Sequence, residues 1–145
     1  MKKTIFKISS VLFLGFLVSC SKSVGVNPNE QSSDFNFVAT SAYDFIYPNA
    51  DFDYIMPVEL YVRPVENLNE NTTLSLTFSS NQSSKFVINS DTLLSGDKVN
   101  LKYKDFKNYR ILGRYITYGK GNQNIDFQIA IGKTSKSSKI VLVAK

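Results

Sequence analysis

Few side chains in this sequence could support acid–base or nucleophilic chemistry. The 145 residues contain one cysteine, Cys20, and no histidine. The commonest general base near neutral pH is therefore missing, and a single thiol exists to attack or to hold a soft metal. The 12 acidic residues offer many carboxylate pairs of the kind a glycosidase uses. Spacing picks out none of them, and solvated strand faces account for them all, so no catalytic residue and no enzyme is expected. Asp44, Asp51 and Asp53 lie close together around Pro48, and loop carboxylates are hard oxygen donors that suit calcium. Asp is also an ordinary turn residue, and the spacing matches no calcium loop. Calcium near Asp51 and Asp53 is left open, and no metal or cofactor is assigned.

Two segments carry side chains suited to recognition instead. Between Ala42 and Tyr54 (AYDFIYPNADFDY), Tyr43, Phe45, Tyr47, Phe52 and Tyr54 surround a proline turn. Exposed aromatic groups often mark binding surfaces, whereas buried ones pack strands and cores. These five residues are the candidate binding surface. Between Lys102 and Lys120, four tyrosines alternate loosely with Lys104, Lys107, Arg110 and Arg114. Cations with stacking rings suit a single-stranded polyanion or an acidic protein or glycan, but lysines along a strand are also routine edge protection.

The chain starts with three lysines ahead of an apolar run, Ile8 to Val18, broken by Ser9, Ser10 and Gly15. This is the pattern of a secretory signal. At 11 residues the run is too short to span a bilayer core, which needs roughly 20. It ends on Leu17-Val18-Ser19-Cys20, which resembles the bacterial lipobox. That resemblance implies removal of residues 1–19 and attachment of acyl chains to Cys20, which would hold the mature chain on a membrane. After Cys20, residues 21–33 are Ser, Asn, Gln, Gly, Pro and charge with two valines, too little apolar surface to offset ordering, so residues 20–33 are expected to form a flexible tether. Residues 34–145 remain for one domain.

Removing three leader lysines leaves 14 cations against 12 anions, a formal +2, which is no nucleic-acid-binding charge. The distribution is uneven. Residues 21–97 hold ten acidic residues against Lys22, Arg63 and Lys85, and residues 98–145 hold eleven basic ones against Asp105 and Asp126. Strands of opposite charge paired in one sheet are the expected cause.

From Asp34 the apolar period is two: Phe35/Phe37/Ala39, Val58/Leu60/Val62, Leu74/Leu76/Phe78, Phe86/Ile88, Val99/Leu101/Tyr103, Ile125/Phe127/Ile129/Ile131, and a final run Ile140–Ala144. Alternation marks strands with one wet and one buried face. Turn-rich breaks fall at residues 48–51, 79–82, 95–97, 119–122 and 134–137. Short strands at near-regular spacing predict an all-β fold, a single immunoglobulin-like antiparallel β-sandwich of about seven to nine strands.

The stretches Leu74–Ser80, Phe86–Asn89, Gly96, Val99–Phe106, Gly113–Tyr115 and Ile125–Phe127 are similar to the immunoglobulin-like domain of TraQ-like conjugal transfer lipoproteins of Bacteroidota. Residues 81–85 lack the glycine such domains usually carry there. The resemblance covers about half of the mature chain and implies a non-enzymatic accessory of a DNA-transfer apparatus in the cell envelope. Its expected contacts are the membrane, through acyl chains on Cys20, and an envelope protein partner. A surface lipoprotein that binds a glycan or host ligand is the alternative, and nucleic acid is disfavoured. Ser21–Gly25 lacks the acidic cluster of surface-exposed lipoproteins in that phylum, and Ser21 is not the Asp of inner-membrane retention. An outer-membrane protein facing the periplasm is expected. Asp91-Thr92-Leu93 resembles the acceptor of the general O-glycosylation system of the same phylum, with Thr92 as the acceptor.

Overall fold

The computed structural model describes residues 34–48 and 53–145. Residues 1–33, where the leader, Cys20 and the tether are expected, and residues 49–52, with Asp51 and Phe52, lie outside the described residues. Ten strands form: β1 (Phe35–Ser41), β2 (Phe45–Ile46), β3 (Tyr54–Pro64), β4 (Thr73–Ser80), β5 (Ser84–Ile88), β6 (Asp91–Leu94), β7 (Lys98–Lys102), β8 (Arg110–Thr117), β9 (Gly121–Ile131) and β10 (Thr134–Ala144). One 3-10 turn, Tyr103–Asp105, follows β7. The strands make two five-stranded sheets, ordered β1-β3-β8-β5-β6 and β2-β10-β9-β4-β7. All pairings are antiparallel except β2 with β10, which is parallel. This is the all-β, immunoglobulin-like sandwich that the alternation predicts, with ten strands among the described residues rather than seven to nine.

The period-two residues line the space between the sheets. Phe35, Phe37 and Ala39 of β1, Met56 to Val62 of β3 on alternate positions, Leu74, Leu76 and Phe78 of β4, and Ile125 to Ile131 of β9 on alternate positions are all buried. Each large apolar side chain removed from water contributes about 1.5–3 kcal/mol. The centre is aromatic: the Phe78 and Phe86 rings stack at 5.8 Å, and Phe127 lies 4.8 Å from Phe86 in a T-shaped pair. Gly113 of β8 faces this cluster, where an added Cβ would collide with the Phe86 ring.

Several turns differ from expectation. The β9–β10 connection is the two-residue turn Gly132–Lys133, with Gly132 at φ 57°, the positive φ that such a hairpin needs. Residues 134–137, expected as that turn, instead open β10. Ser79 and Ser80 likewise belong to β4, and the break follows at 81–83. Ion pairs join the acidic half of the chain to the basic half, among them Arg110–Glu59 at 3.1 Å between β8 and β3, and Lys136–Asp34 at 3.2 Å between β10 and the start of β1.

Candidate interaction surfaces

The aromatic segment divides between surface and core. β2 is held by its parallel pairing with Val143–Ala144, and its flanks are pinned where Val143 N–H donates to Asp44 O (3.0 Å) and Lys145 N–H to Ile46 O (3.1 Å). With Ile46 turned into the core, Phe45 points outward. Tyr43, Phe45 and Tyr47 are 63%, 49% and 66% exposed and line a shallow groove with Ala42 and Asp44. The Lys145 ammonium lies 4.1 Å from the Phe45 ring centre and 5.8 Å from that of Tyr47, a cation–π arrangement. Tyr54 departs from the expected surface. It is buried at the start of β3, and its hydroxyl donates to Lys145 O at 2.7 Å. The chain returns antiparallel to itself at the Pro48–Tyr54 bridge, which fixes Tyr54 with its ring turned inward. Among the described residues no group of three acidic, Cys or His side chains is placed to hold a metal.

The basic, tyrosine-rich stretch is not one patch. Tyr115 is fully buried on β8 and its hydroxyl donates to Gln123 Oε1 at 2.8 Å, with Ser80 Oγ at 3.1 Å. Thr117 Oγ1 lies 3.1 Å from the same Gln123 oxygen, and Gln123 Nε2 donates to Gly119 O at 3.0 Å. The buried polar groups of β8 and β9 thus satisfy one another. Tyr118 lies near the opposite end of β8 from Tyr109, with the Lys85 ammonium 5.5 Å from its ring centre. Hydrogen bonding to Tyr118 raises the Lys85 pKa. Tyr103 and Tyr109 stand together at the other end of the sandwich, beside Phe106.

An apolar face on the outside of the first sheet gave no warning in the sequence. Ile55, Ile116, Lys85 and Leu94 form one cross-strand row, and Pro57, Arg114, Val87 and Thr92 the next. Leu112, on the same side of β8, is 70% exposed. Thr92 itself is exposed on the edge strand β6. A central strand flanked on both sides can carry apolar residues on both faces, so period-two reasoning has no signal there.

Together these features define an all-β sandwich whose surface carries exposed rings and an apolar, cationic sheet face. No family model and no curated protein matches the chain. Among solved structures, it is similar to a conjugative transposon lipoprotein from Bacteroides eggerthii, with 11% identity, TM-score 0.51, and 73% of this chain and 93% of that chain covered. It is also similar to a conjugate transposon protein from Bacteroides vulgatus (14%, TM-score 0.54, 77% and 87%) and to a lipoprotein from Bacteroides thetaiotaomicron (11%, TM-score 0.53, 79% and 83%). At these identities the likeness establishes a shared sandwich fold.

Proposed function

We propose that the protein is a lipid-anchored, non-enzymatic interaction module of the cell envelope, an accessory of a conjugative DNA-transfer apparatus of the TraQ-like kind. In this reading, acyl chains on Cys20 hold it in the outer membrane facing the periplasm. The exposed rings of Tyr43, Phe45 and Tyr47 dock an envelope protein. The observation that carries the proposal is the sandwich shared with structures described as conjugative transposon proteins, over 87% and 93% of their chains. Because one fold hosts many functions, two features of this chain are needed beside it. They are the lipobox-like Leu17–Cys20 and the aromatic groove at Ala42–Tyr47.

Deleting the gene from a donor strain should lower transfer frequency. Wild type should restore it, and Tyr43→Ala with Tyr47→Ala should not, while also losing a crosslinked partner. Unchanged transfer on deletion defeats the proposal. Cys20→Ala should leave the protein uncleaved or in the soluble fraction. Wild-type protein that is soluble after lysis without detergent removes the anchor from the reading.

A further inference from the structure

A second ring-lined groove sits apart from β2, where the 3-10 turn after β7 meets the turn before β8. Its lining is Glu70, Tyr103, Lys104, Phe106, Asn108 and Tyr109, around a cavity of about 480 Å³, within the usual range for small-ligand sites. Two main-chain anchors fix its floor: Tyr103 N–H donates to Thr72 O and Lys104 N–H to Glu70 O, both at 2.9 Å. The Tyr103 and Phe106 rings stack at 6.4 Å, and the Tyr109 ring meets Tyr61 edge-on at 6.3 Å.

The backbone of Tyr109 is the unexpected part. Lys107 and Arg110 exchange hydrogen bonds of 2.8 and 3.0 Å across a two-residue turn, with Asn108 at φ 50° and Tyr109 at φ 69°. Two positive φ values in succession define a turn that favours Asn followed by Gly. Asn108 fits that rule. Tyr109 breaks it, placing a bulky ring in a conformation side chains avoid, 44% exposed at the mouth of the groove. Strain of this kind is commonly kept at sites of function.

We infer that this groove is a carbohydrate subsite, in which a sugar ring lays its C–H face on Tyr109 beside Tyr103 and its hydroxyls reach Glu70, Asn108 and Lys104. The side chains match that chemistry. A carboxylate only accepts, an ammonium only donates and a carboxamide does both, as vicinal hydroxyls require. Neither Glu70 nor Lys104 forms an ion pair with another described residue. A polyanionic nucleic acid would meet the Glu70 carboxylate in the same groove, which argues against it. The inference goes beyond the envelope role proposed above and does not depend on it.

The test is a screen of the detergent-extracted full-length protein against an array of neutral, N-acetylated and uronate-containing oligosaccharides, followed by titration of the strongest hit. Binding should fall at least tenfold in Tyr109→Gly, whose melting temperature should hold or rise because glycine suits the turn, and should survive in Tyr43→Ala with Tyr47→Ala. Three results overturn the inference: no array binding, equal affinity in Tyr109→Gly, or a loss that follows the Tyr43/Tyr47 change instead. The transfer assay above can fail or succeed independently of each.

Discussion

Gln123 has no exposed surface, yet its carboxamide oxygen serves two hydroxyls and its nitrogen serves the Gly119 carbonyl. Gln123→Leu removes one partner from each of two hydroxyls, leaving Tyr115 with Ser80 Oγ and Thr117 with Ser83 O, and takes away the donor to the Gly119 carbonyl. A lost hydrogen bond costs about 0.5–1.5 kcal/mol, so urea denaturation should report a loss of about 1–3 kcal/mol. Tyr115→Phe added to the Gln123→Leu variant should cost less than in wild type, because one of its two partners is already gone. At the surface, Thr92→Ala should leave stability within about 0.5 kcal/mol. If Thr92 carries a glycan, the same change removes the mass excess of protein from its native host over protein from a host without the glycosylation system. Equal masses exclude that modification. None of the Tyr115 network was legible in the sequence. Tyr115 reads there as part of a basic stripe, because its neighbours Arg110 and Arg114 point to the other face of the same strand.

Strands were legible wherever one face is wet and the other dry. β1, β3, β4 and β9 announce themselves by alternation, and every residue it marks as inward is buried, with Tyr54 and Met56 of β3 and Gln123 of β9 buried beyond that set. β8 did not, because Leu112 and Ile116 put apolar groups on its outer side as well. The first half of β10, Thr-Ser-Lys-Ser-Ser-Lys, resembles a turn because it runs past the core, where little apolar burial is demanded of it. β2 is two residues held by parallel pairing to a distant strand, which no local pattern encodes. Register supplies the test. Phe127 is wholly buried, and its neighbour Gln128 is exposed and bonded to Ser135 Oγ at 2.8 Å. Phe127→Ala should cost about 3–5 kcal/mol and Gln128→Ala less than about 1 kcal/mol. Similar small losses at both sites would mean a slipped strand. Gly113→Ala must push the Phe86 ring out of the aromatic centre, for an expected loss of about 1–3 kcal/mol by thermal or urea unfolding. No loss there would mean the ring moves freely.

For the molecule as a whole, the absence of histidine removes the side chain that ordinarily titrates between pH 5 and 8. Asp34 has its pKa lowered, first by the hydrogen bond from Lys136 and then by the Phe35 N–H. Its contribution is present above the unfolded carboxylate value of about 3.9 and is lost as pH falls through the lower folded value. Lys85 and Tyr103 have pKa values raised, by the Tyr118 hydrogen bond and by partial burial respectively. Their effects hold below the unfolded values near 10 and are lost as pH rises through the folded ones. The urea midpoint should therefore be flat from about pH 5 to 9 and fall on either side, and a step between pH 6 and 7 would contradict this account. The parallel pairing of β2 with Val143–Ala144 also has a consequence in time. A ribosome adding about 5–20 residues per second needs roughly 5–20 s to travel from Ile46 to Ala144. For that interval Phe35, Phe37 and Ile46 have no completed sandwich to enter, and the outer edge of β9 has no neighbour. The sandwich therefore closes only once β10 is made, long after β1 and β2.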